Sequence, residues 1–558
     1  MKFKHAVKDA GGWRRGARIR AASVVFALVA CAAVESAAQS AALPVRRKAC
    51  VYLGWDTLRA PVAEVYRRRG EFAATGIDGL VMNVNGLDAR GKSFLARRVM
   101  ASHPFSREQF NSVAPLLKEI LRTRGLESSM LAVYWMGTKT RRIGWADDAA
   151  WAEFASNMRV VCALAKEVGF KGLFIDHEDY TGKPLFRWRA NDDPPYATAV
   201  SLARQRGGET ARAMSEGDSC VRFVFERSLM HLADAVRSQT PRETAALQGD
   251  LWYPFLNGFV EGMSSEMRIV EGCENAYGAR SGVDYRARIG DCRAIALEMI
   301  EPELRAKYLA QSEMSFGKYL DGWMRGGLSV TNGVTESLFG AGAHCDTMFW
   351  LYGEKFSIVD WGRRLHPRAE TTPWNVKFPG LASVLRVAVG DYDELRQTAA
   401  SGAMANLVSN SGCDARGSDL VPTPFKVWMA SGKPTAGMAS HDAAIGCSAP
   451  GSIRLGAGSV CLTFRAGGIK EGDRIYASFA AKGDGVLGDV VWTKDGAWCW
   501  KKGYQLLAKP SMKLADGWQR YECAIIAPSD VDGVGFVLSA RATADAPAWF
   551  DDISIYRW

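Results

Sequence analysis

The sequence predicts a multidomain protein in which a (β/α)8 barrel precedes an all-β sandwich. Three observations lead to this prediction. The chain has 558 residues, more than one ordinary hydrophobic core accommodates. Over residues 48–403, short apolar runs alternate with amphipathic segments, as in a parallel sheet covered by helices. Over residues 404–558, short strands bounded by Gly, Asp and Pro replace that alternation.

The first 39 residues predict an export signal. A basic stretch, MKFKHAVKDAGGWRRGARIR, is followed by AASVVFALVACAAV, whose apolar part is too short to span a bilayer comfortably. Cleavage near ESAAQSAA predicts a secreted or periplasmic protein. The alternative is a lipoprotein signal cut at LVAC, with Cys31 carrying a lipid anchor at the cell surface.

Charge and cysteine content narrow the function classes. Residues 1–39 hold seven basic and two acidic side chains, so their removal lowers the formal charge from +10 to about +5. No Lys/Arg stripe or binding motif predicts a nucleic-acid partner. The twelve cysteines lack zinc-type spacing. The pairs Cys273–Cys292 and Cys413–Cys447 are disulfide candidates by proximity in the sequence, and buried thiols are the alternative.

The barrel strands are predicted from the apolar runs in chain order. Strands one to four are ACVYLGW (49–55), GIDGLVMNVNG (76–86), SSMLAVYWMG (128–137) and KGLFIDHE (171–178). Strands five to eight are ETAALQGDLWY (243–253), EMRIVEGCENAYG (266–278), GGLSVTNG (326–333) and DTMFWLYGEKFSIVDW (346–361). Helical patterns cover 107–125, 147–169 and 390–401. Strand seven is the weakest of these, and a doubly wound sheet is the other topology the pattern allows.

The stretch GLFIDHEDYTG, residues 172–182, runs from a buried strand directly into ionisable side chains. In α/β barrels that end of a strand carries the catalytic groups. Alternation along the strand sends Asp176 and Glu178 to one side and His177 to the other. The alternative is a solvated turn. We expect Asp176 and Glu178 to belong to an active site.

Further acids follow other predicted strands, namely Glu274 in VEGCENAYG, Glu354 in LYGEK and Asp56 in GWDT. Cleavage of a glycosidic bond needs one carboxylic acid that donates a proton and one carboxylate that attacks or activates water. Crowded carboxylates raise the pKa of one member, which supplies the acid. We expect Glu178 and Glu274 to be this pair, with Asp176 orienting Glu178 and with Asp56 and Glu354 at the substrate.

Aromatic residues accompany these acids at or near the predicted strand ends. They are Trp55, Tyr134, Trp135, Tyr180, Trp252, Tyr253, Tyr277, Trp350 and Tyr352. Flat rings can pack against the C–H faces of sugars, although any one of them could instead be a core residue. Their recurrence beside acids favours a substrate cleft.

The C-terminal part resembles the jelly-roll carbohydrate-binding modules of families 4, 9 and 22. The resemblance lies in NLVSNSGCD (406–414), in strands like RIYASFAAKG and GWQRYE, and in the closing FDDISIY. It implies a jelly-roll fold and a structural calcium held by Asp552 and, where the family commonly has Glu, by Asp414. The alternative for the acids is the end of an edge strand. No cofactor is expected for catalysis.

The N-terminal part resembles, in architecture, barrel glycoside hydrolases with an Asp-x-Glu on strand four. Family 18 chitinases also place acids there, but GLFIDHEDY lacks their spaced aspartates. The resemblance implies an exported hydrolase acting on a polysaccharide or glycan. The alternative is a surface protein that binds carbohydrate without cleaving it. A serine hydrolase is disfavoured because no GxSxG motif occurs.

Overall fold

A computed structural model describes residues 48–557 of the chain, apart from short gaps. The gaps are 101–102, 138–141, 179–182, 217–221, 227, 230–231, 233–239, 281, 329–332, 366–370, 415–419, 430–432, 436, 457, 459, 500–504 and 528–529. The predicted export signal and Tyr180 therefore lie outside the described residues. Among the described residues, no helix is long and apolar enough to cross a membrane.

The N-terminal part contains a curled parallel sheet of nine strand segments. The segments are β1 Ala49–Gly54, β2 Gly79–Met82, β5 Met130–Tyr134, β6 Gly172–Asp176, β7 Arg222–Phe225, β8 Arg268–Glu271, β9 Ser312–Met314, β10 Gly317–Tyr319 and β11 Met348–Gly353. Their order across the sheet is β10-β11-β1-β2-β5-β6-β7-β8-β9. A separate hairpin pairs β3 Asn85–Leu87 with β4 Ser93–Leu95.

The two outermost segments of this sheet, β9 and β10, are consecutive in the chain. Only Ser315 and Phe316 separate them. The Ser315 N–H donates to the Glu271 carbonyl at 2.8 Å, and the Phe316 carbonyl accepts from the Trp350 N–H at 3.0 Å. The linking residues therefore bond to β8 on one side and to β11 on the other.

Helices surround the sheet. They are Trp55–Arg59, Val62–Arg67, Arg69–Ala73, Ala114–Arg122, Asp148–Val168, Tyr196–Glu216, Pro241–Leu247, Trp252–Gly262, Gly282–Met299, Arg305–Gln311, Leu320–Arg325, Val334–His344, Trp374–Lys377, Leu381–Ala388 and Asp393–Ala400. Short 3-10 helices span Arg107–Phe110, Glu274–Gly278, Pro302–Leu304 and Ala515–Gly517. Asp147 caps the helix Asp148–Val168 by accepting from the Ala150 N–H at 3.0 Å, and Gly169 ends it at φ 102°.

Alternate residues of the strands enter two different cores. Val51, Ala132 and Phe174 belong to a small cluster with Val224 and Trp350 on one face of the sheet. The residues next to them in the sequence point to the other face and belong to the large cluster, which includes the helices. They are Tyr52, Val133, Leu173, Phe225 and Leu351. The parallel strands are therefore buried on both faces, which explains why they are continuous apolar runs.

One predicted strand is wrong, and another lies partly outside the described residues. Residues 243–253 hold parts of the helices Pro241–Leu247 and Trp252–Gly262, and the fifth strand is the four-residue run Arg222–Phe225. Residues 326–328 form no strand, and residues 329–332 lie outside the described residues. The seventh strand position is occupied by 312–319, whose polar residues concealed it. The other six predicted strands contain the observed ones.

The C-terminal part consists of antiparallel sheets. One has the order β14-β15-β24-β17-β22-β21, with β12 paired to β24, and the other has the order β13-β16-β23-β18-β19, with β20 paired to β18. The first sheet contains β12 Ala405–Asn406, β14 Ala439–Asp442, β15 Ser452–Leu455, β17 Arg474–Lys482, β21 Lys509–Lys513, β22 Gln519–Ile526 and β24 Ala548–Arg557. The second contains β13 Lys426–Met429, β16 Val460–Gly467, β18 Leu487–Lys494, β19 Ala497–Trp498, β20 Gln505–Leu507 and β23 Gly533–Ser539.

The last helix of the N-terminal part, Asp393–Ala400, packs against the first of these sheets. Arg396 donates to the fully buried Glu522 of β22 at 2.6 Å. Tyr392 stacks on Tyr476 of β17 with ring centroids 5.9 Å apart. Residues 47–558 accordingly form one compact unit.

Candidate active site

Three neighbouring strands of the parallel sheet bring four carboxyl groups together at their C-terminal ends. Asp176 ends β6, and Glu178 follows it. Glu226 follows β7 and Glu274 follows β8. Backbone bonds continue the sheet here, because the Glu226 N–H donates to the Ile175 carbonyl at 3.4 Å and the Glu274 N–H donates to the Glu226 carbonyl at 3.1 Å.

Asp176 is the electrostatic centre of this cluster. Its Oδ1 accepts the Glu178 N–H at 2.9 Å, and its carboxyl shares a hydrogen bond with that of Glu226. Burial raises the pKa of Asp176, the charges of Glu178 and Glu274 add to this and two hydrogen bonds oppose it, so that the pKa is about 7. The cluster therefore holds a carboxyl that exchanges its proton near neutral pH.

Glu226 was missed by the sequence analysis. It lies only 8% exposed at the end of the four-residue strand β7. The signal was the run RFVFE at 222–226, an apolar strand entering an acid in the same way as LFIDHE does. The run lies between the predicted fourth and fifth strands and was missed because it is much shorter than the predicted strands.

The turn before Glu274 is built around a fully buried acid, Glu271. Glu271 accepts from Ser228 Oγ at 2.5 Å, from the Leu229 N–H at 2.6 Å and from the Cys273 N–H at 3.2 Å. Cys273 adopts φ 46°, in the left-handed region that L-residues seldom occupy. These bonds hold the chain in the reversed turn from which Glu274 projects.

A buried lysine supports the other side of this turn. Lys318 of β10 is fully buried, and its Nζ donates to the carbonyls of Ala276 and Ala279 at 2.7 Å each. Burial lowers the pKa of Lys318 to about 7. Both carbonyls lie at the end of the 3-10 helix Glu274–Gly278, so Lys318 secures the element that carries Glu274 and Tyr277.

Partly exposed aromatic residues form the opposite wall. The Tyr319 and Tyr352 rings stack with centroids 5.3 Å apart, and Tyr277 lies 6.4 Å from Tyr352 and nearly parallel to it. Trp55 Nε1 donates to the Tyr352 hydroxyl at 3.0 Å, and the Tyr319 hydroxyl donates to Glu354 Oε2 at 2.9 Å. The structure thus brings Trp55, Tyr277, Tyr352 and Glu354 to the carboxyl end of the sheet, together with Tyr319, which the sequence analysis did not select.

Three tryptophans predicted to contact substrate are instead core residues, since Trp135, Trp252 and Trp350 are fully buried. Trp135 lies among phenylalanines of the helix layer, and Trp252 stacks on His177 at 4.2 Å. Trp350 Nε1 donates to the Gly272 carbonyl at 2.7 Å inside the sheet. Their large apolar rings are most stable away from water, and none of them presents a face to a ligand.

Asp56 is likewise a structural residue in this fold. It is 4% exposed and accepts from Tyr52, from Trp361 Nε1 at 3.1 Å and from the N–H groups of Thr57 and Ile358. Burial raises the pKa of Asp56 against these hydrogen bonds. With its oxygens used in this way, it joins the loop after β11 to the helix after β1 rather than facing a substrate.

A tyrosine and an arginine complete the cluster beside Asp176. Tyr134 is paired with Asp176 in the register of β5 and β6. Arg97, only 8% exposed, donates from Nη1 to the Tyr134 hydroxyl at 3.3 Å and to the Leu58 carbonyl at 3.0 Å. Arg97 is therefore a buried cation beside the cluster, since the charges of Asp176 and Arg97 interact.

The acids predicted to hold calcium lie together in the C-terminal part. Both oxygens of Asp551 accept N–H groups, from Cys447 at 2.6 Å and from Asp552 at 2.7 Å. Asp552 accepts from Ser448 Oγ at 2.6 Å and from Arg520 at 3.2 Å, while Asp414 is exposed. No group of three or more potential ligands is arranged for a metal within the described residues.

Comparison with known proteins leaves the family unassigned. No family model matches the chain, and no curated protein matches it. Partial structural matches include carbohydrate-binding modules and glycoside hydrolases. The xylan-binding CBM22-1 domain of Paenibacillus barcinonensis Xyn10C is 8% identical, with a TM-score of 0.21, over 28% of this chain and 95% of that one.

Two enzymes match at similar scores. The CBM22-1–GH10 modules of Clostridium thermocellum xylanase 10B, complexed with xylohexaose, are 10% identical with a TM-score of 0.19, over 27% of this chain and 28% of that one. An arabinose-bound GH51 α-L-arabinofuranosidase is 13% identical with a TM-score of 0.21, over 27% of this chain and 26% of that one. The match covers about a quarter of each of these two enzymes.

Proposed function

We propose that this protein is an exported glycoside hydrolase that cleaves a polysaccharide or glycan with two carboxyl groups. One observation carries the proposal: Asp176, Glu178, Glu226 and Glu274 meet at the carboxyl ends of three adjacent parallel strands, where burial, together with the charges of Glu178 and Glu274, raises the pKa of Asp176 to about 7. Glycosidic cleavage needs a protonated and an ionised carboxyl side by side, and such a cluster supplies both. The partly exposed tyrosines opposite provide flat faces for sugar rings.

Within this proposal, Glu178 donates the proton and Glu274 acts as nucleophile or activates water. Both are partly exposed, whereas Glu226 is buried and Asp176 uses its carboxyl to hold Glu178 and Glu226. Asp176 is then a positioning residue that tunes the pair through its charge. A separation of about 5–5.5 Å between the two glutamate carboxyls gives retention of anomeric configuration, and about 6.5–9.5 Å gives inversion.

The proposal extends to the architecture. Bonds from Ser315 to β8 and from Phe316 to β11 support closure of the curled sheet into an eight-stranded barrel, with residues 312–319 as strand seven. The C-terminal sheets are proposed to form a jelly roll that binds glycan. In residues 1–39 a basic stretch is followed by an apolar stretch, which supports export to the periplasm or outside the cell. Lipid attachment at Cys31 is the alternative.

The decisive experiment is a screen of the mature protein on a panel of polysaccharides and oligosaccharides, with release of reducing ends as the readout. Glu178→Gln and Glu274→Gln are each expected to lower turnover by about 10²- to 10⁴-fold, because the amide keeps the shape but cannot transfer a proton or attack. The matched control is Glu266→Gln, an exposed acid at the opposite end of β8. Full activity in either active-site variant contradicts the assigned role, and binding without cleavage by the wild type favours the non-catalytic alternative.

A further inference from the structure

Strand register places the hydroxyl group of Tyr134 at the carboxyl cluster. Its Cα is paired with that of Asp176 between β5 and β6. Neighbours in register on parallel strands project their side chains to the same face of the sheet. Tyr134 is partly exposed, and the charges of Asp176 and Glu226 act on its phenol. The phenol therefore belongs to the same face and the same end of the sheet as the proposed catalytic acids.

Arg97 determines which way the Tyr134 proton points. A guanidinium group has only donors, so the Tyr134 oxygen must be the acceptor of the 3.3 Å bond from Arg97 Nη1. Arg97 itself is fixed, because Nη1 also donates to the Leu58 carbonyl and the Arg97 carbonyl accepts the Tyr134 N–H at 2.7 Å. The phenol proton is thereby directed away from Arg97.

That proton has no acceptor among the residues the structure describes, where the only hydrogen bond of the Tyr134 hydroxyl is the one it accepts. Burial raises the pKa of Tyr134 well above its ordinary value, and the neighbouring carboxyls add to this against the lowering effect of Arg97. The phenol is consequently a neutral donor at neutral pH.

We infer that Tyr134 donates a hydrogen bond to an uncharged oxygen of the substrate bound beside Asp176, namely a sugar hydroxyl, ring or amide oxygen. This inference rests on the proposed function. An uncharged acceptor is specified because Asp176, Glu226 and their neighbours repel a carboxylate, sulfate or phosphate at this position. Tyr134 thus acts as a polar substrate contact, a different role from the stacking face that its residue type suggests.

The test measures binding in a Glu178→Gln background, using calorimetry and the oligosaccharide that the activity screen identifies. Adding Tyr134→Phe keeps the ring and removes only the hydroxyl, so affinity is expected to fall about 3- to 10-fold, the range for one hydrogen bond. The matched control is Tyr66→Phe, whose ring also lies beside an arginine, 4.3 Å from Arg69, on a helix that contributes nothing to the cluster. That control is expected to leave affinity unchanged.

A second variant covers the case in which Tyr134→Phe does not fold, as judged by circular dichroism. Arg97→Met removes the donor that orients the phenol, so it is expected to weaken binding of the same oligosaccharide, and unchanged affinity in this variant then overturns the inference. Where Tyr134→Phe does fold, Arg97→Met is expected to have a smaller effect in its presence. Unchanged affinity in a folded Tyr134→Phe variant overturns the inference and leaves the proposed function standing. If the wild type cleaves no member of the panel and the Glu178→Gln variant binds none, the proposed function and this inference fall together.

Discussion

The carboxyl groups of Asp176 and Glu226, on the adjacent strand ends of β6 and β7, share a hydrogen bond. Two carboxyls can share a bond only while one of them carries a proton, so this pair retains a proton under conditions in which isolated acids have lost it. Glu178 and Glu274 lie beside this pair. The presence or absence of the shared proton therefore changes the electrostatic potential at their carboxyl groups.

The first prediction concerns the role of Glu226 in this bond, which lowers the pKa of Asp176. Glu226→Leu removes the donor of this bond, so the pKa of Asp176 should rise. We expect the part of the activity–pH profile that follows the titration of Asp176 to move to higher pH. Glu226→Gln keeps an N–H donor and is expected to leave that part in place or to move it to lower pH. The measurement is kcat/KM from pH 4 to 9 for the two variants. Identical profiles would show that the bond does not govern the titration.

The second prediction is a pH dependence of stability. The pKa of Asp176 is about 7 in the folded protein against an ordinary value of 3.8, so unfolding releases a proton between these limits. The free energy of unfolding should therefore decrease as pH rises from about 4 to 7, by at most about 1.4 kcal/mol per pH unit for this one group. Asp176→Asn should remove that contribution. Urea unfolding of the wild type and of Asp176→Asn at several pH values measures this. The quantity to compare is the difference in the free energy of unfolding between the two proteins, because other buried acids titrate in both.

The third prediction concerns Lys318, which holds the end of the helix Glu274–Gly278. Lys318→Met removes one donor from each of the carbonyls of Ala276 and Ala279, which keep the Ala279 N–H at 2.9 Å and Ser337 Oγ at 2.8 Å respectively, so we expect each lost bond to cost about 0.5–1.5 kcal/mol in the free energy of unfolding. We also expect turnover to fall more than tenfold, since displaced catalytic groups lose rate steeply.

Lys307 provides the control for this variant. Its Nζ also donates to two carbonyls, those of Glu261 at 3.0 Å and Met263 at 2.7 Å, but it is partly exposed and remote from the cluster. Lys307→Met should cost less stability, because water can replace the lost donor, and should leave turnover unchanged. Equal losses of turnover in the two variants would contradict the positioning role of Lys318.

The fourth prediction addresses the contact between the N-terminal helices and the antiparallel sheets. Glu522 is fully buried, and Arg396 is its only cationic partner among the ion pairs of the described residues. Arg396→Met should lower the free energy of unfolding by about 3–5 kcal/mol, since it leaves the buried Glu522 carboxylate without a cation, with only the Tyr476 and Ser511 hydroxyls donating to it. Arg386→Met, whose exposed pair with Glu394 spans 3.8 Å, should change it by less than about 1 kcal/mol. Differential scanning calorimetry measures both. A similar midpoint for the two variants would show that Arg396 does not stabilise the contact.

The same contact bears on whether the C-terminal part folds alone. Residues 404–558 have their own apolar core, and we still expect the isolated fragment to fold. Its sheet would then expose Tyr476 and leave Glu522 without Arg396. Solubility and near-ultraviolet circular dichroism of the fragment test this, and a molten or insoluble product would contradict it.

The sequence by itself determined six strands of the parallel sheet and the acids that lie at or just after their carboxyl ends. Apolar runs such as LFI at 173–175 recur at the spacing of a parallel sheet, and an acid directly after a strand must lie at its carboxyl end whatever the packing. Those local rules predicted Asp176, Glu178 and Glu274 correctly as residues at strand ends. They also separated the antiparallel part, because its strands alternate between polar and apolar residues.

Only the tertiary structure decided which side chains of that site meet and which are buried. A strand covered on both faces carries apolar residues at every position, so its pattern cannot show which face is the helix layer, and Trp135 resembled Tyr134 in the sequence. The pairing of Glu226 with Asp176 depends on β7 lying beside β6, a contact between residues fifty positions apart that local periodicity does not encode. The physical reason is that periodicity reports which residues share a face, whereas burial and proton sharing are determined by what packs against that face.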